Sequence, residues 1–213
     1  MSKFADLRQE YKKHQLNEEN ILTDPLEQFR LWFHEALDAG IMEPNAFTLA
    51  TVSKDGTPSA RVLLLKGVDE NGFVFYSNYN SEKGRDLAEK PVGSMVFLWL
   101  ELERQVRISG PVTKVTREES EIYFHSRPRE SQIGAWVSSQ SQIITSREEL
   151  EKNLIVQQEK FKDSEVIPLP EYWGGYRLQP LQIEFWQGRP NRLHDRLLFS
   201  AVDTTWKIER LAP

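Results

Sequence analysis

Three groups of basic and aromatic side chains stand out from an otherwise acidic chain. Arg61 and Lys66 bracket the apolar run Val62-Leu63-Leu64-Leu65. Five residues apart on an extended strand, they point to opposite faces unless a bulge intervenes, so they are either strand-end charges or separate anion contacts. Tyr123, Arg127, Arg129 and Ser131 lie where one helix ends and another begins. Free backbone N–H groups and the helix dipole favour an anion there, and arginine offers the paired donors that phosphate accepts; the alternative is a solvated turn whose arginines cap the preceding helix. Arg192, His194 and Arg196 alternate with Leu193, Asp195 and Leu197, which on a strand gives them one shared face. Buried cations need partners, so such a face is either wet or lines a pocket for an anionic ring, with Trp186 as a stacking surface or a core residue. Together the groups fit a ligand bearing more than one phosphate or carboxylate.

Composition narrows the chemistry. The 213 residues carry 27 Lys+Arg against 32 Asp+Glu, a net charge of −5. That balance disfavours nucleic acid or an anionic membrane as the partner. There is no cysteine, which excludes disulfides, thiolate nucleophiles, iron–sulfur clusters and cysteine-based zinc sites. The four histidines, His14, His34, His125 and His194, are not at metal-ligand spacing, so no metal is expected. G-x-G-x-x-G, G-x-x-x-x-G-K-[ST] and G-x-S-x-G are all missing, and Gly174-Gly175 reads as a turn into a strand. The charged start MSKFADLRQEYKKH lacks the apolar stretch of a signal peptide, and no window approaches about 18 uncharged apolar residues. A cytoplasmic protein is expected.

The elements that must carry these groups follow from periodicity. Phe4, Leu7 and Tyr11 predict a short first helix, followed by a polar connector. Asp24, Pro25 and Glu27 mark the start of a second helix with a capping box, Leu26, Phe29, Phe33 and Leu37 its apolar face, and Gly40 its stop. Short β-type runs then alternate with the turn signals Lys54-Asp55-Gly56 and Asp69-Glu70-Asn71-Gly72. A brief helix starts near Asn80 or Ser81 and stops before Pro91. Residues 116–161 read as three helices broken at Arg127-Pro128-Arg129 and at 138–142, and the remainder returns to strands. About eight strands with helices inserted as blocks argue for an antiparallel α+β barrel. Pro168-Leu169-Pro170 is the best candidate hinge, although one domain is expected.

The strings themselves resemble a known family. RVLLLK at 61–66, FYSN at 75–78, ERQVRISG at 103–110, YFHSRPRESQIGAW at 123–136 and SSQS at 138–141 are similar to the pyridoxine (pyridoxamine) 5′-phosphate oxidase family. So are PLPEYWGGYRL at 168–178, IEFWQGRPNRLHDR at 183–196 and WKIERLAP at 206–213. The likeness runs along essentially the whole chain in order and spacing. It implies an FMN-binding split β-barrel, an antiparallel Greek-key barrel with flanking helices, as one domain over residues 1–213. Residues 1–22 would be a helix and connector able to cover the active site. It further implies a homodimer with FMN at the subunit interface. The implied reaction oxidises pyridoxamine or pyridoxine 5′-phosphate to pyridoxal 5′-phosphate, with oxygen as acceptor and hydrogen peroxide as product.

Residue roles come with the resemblance. For FMN it implies Arg61, Val62, Leu63, Leu64, Leu65 and Lys66, then Tyr76, Ser77 and Lys83, with Gln105 near the flavin ring. Gln140 and Ser141 are implied as FMN contacts from the partner's side of the interface, and Trp186 and Arg196 as the pair beside the isoalloxazine. For the substrate it implies Lys66, Tyr123, Arg127 and Ser131 at the phosphate, Arg192 and His194 as the catalytic pair holding the pyridine ring, and Arg8 and Tyr11 closing over them. One position departs: Glu82 stands where the family places a basic residue, and Arg85 is the candidate to compensate. The alternatives are another split-barrel flavoprotein, such as a flavin reductase, and a non-catalytic carrier of pyridoxal phosphate. The complete substrate set argues against the first.

Overall fold

The computed structural model describes residues 10–213, among which five helices and ten strands are found. Helix α1 (Pro25–Asp38) starts as its sequence dictates, with the Asp24 carboxylate accepting the Leu26 N–H at 2.7 Å and the Glu27 N–H at 3.4 Å. A cap of this kind contributes about 1 kcal/mol. The reciprocal half of the expected box is absent, because Glu27 pairs with Arg30 at 2.6 Å. The buried stripe is Leu26, Phe29, Trp32 and Ala36, and Leu37 is exposed, a rotation from the expected face. Trp32 draws the helix round: its ring meets Phe185 edge-on at 5.2 Å and lies under the Arg104 guanidinium at 4.3 Å.

Strands β1 (Ala46–Val52) and β2 (Pro58–Leu64) form the expected hairpin, and β3 (Gly67–Asp69) and β4 (Gly72–Asn78) form a second about Glu70-Asn71. Helix α2 (Glu82–Glu89) is capped by Ser81. Strands β5 (Val92–Trp99) and β6 (Arg104–Lys114) precede α3 (Arg117–Ser126), α4 (Arg129–Val137) and α5 (Arg147–Phe161). The chain returns through β7 (Trp173–Leu178), β8 (Gln182–Gln187), β9 (Asp195–Val202) and β10 (Thr205–Arg210).

All strand pairs are antiparallel. One path runs β10-β9-β8-β6-β5-β1-β2, and β7, β4 and β3 branch from the far end of β6. Strand β6 therefore belongs to both halves: residues 104–109 pair with β8 and residues 112–114 with β7. The changeover falls at Gly110, where a Cβ would sit 1.9 Å from the Gln179 carbonyl oxygen, so only glycine permits the approach.

Four expectations are corrected here. Ten strands replace about eight, because β3 is separate and Gln179-Pro180-Leu181 breaks the run 176–187 into β7 and β8. Gly174-Gly175 lies inside β7 rather than in a turn. Residues 10–13 are not helical, and the rest of the expected first helix, Arg8 included, lies outside the described residues. The hinge at 168–170 is pinned: Arg117 donates to the carbonyls of Leu169 and Pro170 at 2.7 and 3.0 Å, and Trp136 donates to that of Pro168 at 2.9 Å.

Two apolar cores result. The barrel is filled by Phe47, Phe73, Phe97, Trp99, Phe185 and Phe199, with α1 closing it through Phe29 and Trp32. The second core, Phe124, Ile133, Phe161, Ile167, Leu169 and Trp173, lies beneath α3–α5.

Candidate active site

The first expected group forms where β2, β4 and α2 meet. Arg61 projects from β2 towards the hydroxyls of Thr51 and Ser59, donating to Thr51 Oγ1 at 2.6 Å. Lys83, in the first turn of α2, is buried and donates to Ser81 Oγ at 3.2 Å and to Gln140 Oε1 at 3.0 Å. Ser77 donates to the same Gln140 oxygen at 3.3 Å. Burial first, and then the Arg61 charge, push the Lys83 ammonium down to about 8. A desolvated lysine that meets only a hydroxyl and an amide oxygen, with an arginine beside it, is a site that gains from an incoming anion.

Within its own chain Gln140 joins Ser77 and Lys83, while the neighbouring Ser141 is exposed at φ +67°. Glu82 faces Arg61 at 3.5 Å, and Asp86 lies 3.9 Å from the same guanidinium. Arg85 donates to the Asn80 carbonyl at 2.6 Å.

The second group is built on the α3–α4 junction. Tyr76, the neighbour of Ser77 on β4, stacks on Tyr123 with ring centres 3.9 Å apart and on Trp173 at 5.6 Å. Arg127 lies over the Trp173 ring at 4.7 Å and donates from Nη2 to the Ser131 carbonyl at 2.7 Å. Its Nη1 is buried and finds no partner among the described residues. A buried guanidinium N–H without a partner, beside a tyrosine and the start of α4, is a donor suited to an anionic oxygen. Arg129 is not part of it, since it caps the Phe161 carbonyl at 2.5 Å.

The third group spans the β8–β9 connection. The register places Leu98, Gln105, Trp186 and Arg196 in one line across β5, β6, β8 and β9, hence on one face. Arg196 grips the buried Glu184 with Nε and Nη2 at 2.8 and 3.1 Å, and Glu184 also takes Arg107 at 3.1 Å. The expected strand face Arg192, His194, Arg196 does not exist. Strand β9 begins at Asp195, and Pro190 initiates a turn in which Asn191 and Arg192 take φ values of +56° and +61°. His194 packs on Trp186 at 4.6 Å, and Tyr11 meets both rings edge-on at 5.8 and 5.9 Å. His194 Nδ1 accepts the Arg189 N–H at 3.1 Å, which puts the ring proton on Nε2. Desolvation and the nearby Arg192 lower the pKa of the imidazole.

Lys66 lies past the end of β2, exposed at a cleft of about 430 Å³ beside Phe33 and His34 of α1. Val62 and Leu63 turn to opposite faces of β2, Val62 outward and Leu63 against the barrel core. The sequence reading missed Trp173, Glu184 and Asp195. A carboxylate inside the apolar run IEFW was the available signal for Glu184, because such a group requires a cation. Among the described residues, no cluster of three acidic or histidine side chains could hold a metal.

Family models match on both sides of this geometry: "Pyridoxamine 5′-phosphate oxidase" over residues 33–155 and "Pyridoxine 5′-phosphate oxidase C-terminal dimerisation region" over residues 173–213. The chain belongs to the pyridoxamine 5′-phosphate oxidase family. Family members named pyridoxine/pyridoxamine 5′-phosphate oxidase from Salinibacter ruber and Trichormus variabilis are both 56% identical to it, covering 100% and 98% of either chain. PhzG from Burkholderia lata, solved with tetrahydrophenazine-1-carboxylic acid, superposes with a TM-score of 0.87 at 30% identity, covering 93% of this chain and 98% of that one. A family-related FMN-binding protein from Nostoc punctiforme shares the fold, with a TM-score of 0.69 at 18% identity over 87% and 97% of the two chains. The expected split barrel is thus the observed fold.

Proposed function

We propose that this chain is an FMN-dependent oxidase of pyridoxamine and pyridoxine 5′-phosphates, working as a homodimer with the cofactor between its subunits. The observation that carries the reading is the pair of separate anion sites, one at Lys83 and Arg61 and one at Arg127. The reaction needs two phosphate cradles, one for the cofactor and one for the substrate. Full-length relatives at 56% identity that bear this name support it.

The first group suits the FMN phosphate: Arg61, Ser77 and Lys83 supply donors, and Gln140 orients two of them. FMN supplies the two-electron redox chemistry and the route of those electrons to oxygen. Each turnover converts the alcohol and O2 to the aldehyde and H2O2; the amine also consumes water and releases ammonia. The residues of the chain have the task of orientation. Tyr123, Arg127 and the start of α4 fix the substrate phosphate, so binding energy from a non-reacting group aligns the reacting carbon. His194 presents an Nε2–H, hence a donor towards the substrate rather than a lone pair, which favours an orienting role. Trp186 and Gln105 offer the face for a flat ring. Arg196 is fixed in place by Glu184 and the Ala212 carbonyl, and since Glu184 is shared with Arg107 the pair of arginines keeps a net positive charge.

Dimerisation is supported by the matched C-terminal region and by the outward sheet face, where Val62 and Leu98 are 66% and 56% exposed. The test is direct. Purified protein in air with pyridoxamine 5′-phosphate is expected to form peroxide and the pyridoxal phosphate chromophore in equal amounts. Flavin-loaded protein that turns over neither phosphate would refute the reading.

A further inference from the structure

Residues 10–24, the described part of the segment before α1, form no helix or strand, yet they are tied down at many points. The N–H groups of Lys12 and Lys13 both donate to one Glu103 carboxylate oxygen, at 2.8 and 3.0 Å. Tyr11 fits over Gly188, where a Cβ would approach the tyrosine to 2.7 Å, so the absence of a side chain lets the arm lie flat.

The strongest ties come from Arg210 on β10. Its Nε and Nη2 hold both oxygens of Glu18 at 2.8 and 2.7 Å, Nη2 also reaches the Leu16 carbonyl at 3.1 Å, and Nη1 holds Asp195 Oδ1 at 2.9 Å. The other Asp195 oxygen accepts the Leu16 N–H at 3.2 Å and faces Arg189 Nε at 3.3 Å. Arg189 in turn donates from its side chain to the His14 carbonyl at 3.1 Å and from its backbone to His194 Nδ1 at 3.1 Å. One carboxylate, Asp195, therefore stands between the arm, the β10 arginine and the residue that sets the His194 tautomer. Glu18 and Arg210 fill no core, being 53% and 38% exposed, whereas Leu16, which the same residues hold by its backbone, is buried in the barrel core. The Arg210 guanidinium nonetheless holds the Glu18 carboxyl down to about 2.

We propose that Glu18, Asp195 and Arg210 form a clamp of positioning residues that holds Tyr11 over His194 and fixes His194 with its proton on Nε2. The clamp orders the substrate-ring end of the site and leaves the phosphate end untouched. It rests on the functional reading above only in naming what the ring end receives.

The experiment uses the FMN-loaded enzyme with Arg210→Gln, Glu18→Gln and the double variant. Each single change is expected to raise the Michaelis constant for pyridoxine 5′-phosphate about three- to tenfold, with kcat within about twofold and FMN affinity unchanged. The double variant should be no worse than Arg210→Gln alone, because both remove one interaction. Trypsin cleavage after Lys12 and Lys13 should accelerate by a similar factor. Histidine ¹⁵N spectra should show His194 passing from one tautomer to a mixture. Should Arg210→Gln fail to fold, Glu18→Gln, on the exposed arm, carries the same tests. Unaltered trypsin resistance together with an unaltered His194 spectrum would overturn the clamp, as would FMN loss in step with the rise in Michaelis constant. Absence of turnover in the unmodified enzyme would count against the functional reading alone, since the protease and NMR results stand without it.

Discussion

At the phosphate end of the candidate site Lys83 and Arg127 are desolvated and form no ion pair among the described residues, whereas at the ring end the arginines are matched with carboxylates. Arg61, beside Lys83, does face Glu82 and Asp86. Lys83 faces a hydroxyl and an amide oxygen, and Arg127 keeps a buried Nη1 with no partner among the described residues. Arg189, Arg196 and Arg210 by contrast each hold Asp195, Glu184 or Glu18. A guanidinium that is fully paired has little net charge to offer a newcomer, while its geometry is fixed. On the proposed function, the difference fits capture of anions at the first end and alignment at the second.

Removing a capture residue should therefore cost the most. Arg127→Met is expected to lower kcat/KM for both phosphates about a hundredfold, since a charge-assisted contact in a desolvated site contributes about 1.5–3 kcal/mol. FMN binding should not change, and flavin fluorescence titration beside steady-state kinetics checks both halves. Lys83→Met is expected to do the reverse, weakening FMN about ten- to hundredfold. In the unmodified protein the same lysine gives a pH signature. The free ammonium titrates at about 8, and a bound phosphate favours its charged form. FMN affinity should thus be full below that pH and fall by up to about tenfold per unit above it. The charged groups that face the same pocket are Arg61, Glu82 and Asp86. A flat profile from pH 7 to 9 would take Lys83 out of the anion site.

Effects at the ring end should be smaller. Arg192→Ala, at an exposed turn position, is expected to lower kcat/KM about tenfold with an intact flavin spectrum. Smallest is Glu82→Gln, which frees Arg61 of an exposed carboxylate at 3.5 Å. It should tighten FMN about threefold, more at low salt than at high. Equal tightening at both ionic strengths would show that Glu82 acts through shape rather than charge.

What was legible in the sequence was local. The Asp24 cap, the two hairpin turns and the three-piece helical block are written in residues close together along the chain, and the structure keeps each of them. The face of α1 was misjudged because Leu37 and Trp32 compete for the core by size, a choice made by Phe185 and Arg104 far away in sequence. The strand assigned to 192–196 failed because alternation continues through Arg192 while Pro190 and two positive φ angles break the backbone. The Glu82–Arg61 pair and the carboxylates behind Arg196 and Arg210 could not be found by spacing at all, because they join elements that meet only in the folded barrel. The Tyr76–Tyr123–Trp173 stack is of the same kind.

The tie between Glu18 and Arg210 spans 192 positions of the chain. During synthesis at about 5–20 residues per second, the arm would wait roughly 10–40 s for its partner strand to be made. Through that interval the barrel strands up to β9 have time to pair, but the ring end stays open. The arm is therefore secured only after β10 has been made, and a nascent chain stalled before β10 should fold its barrel strands with the arm still loose.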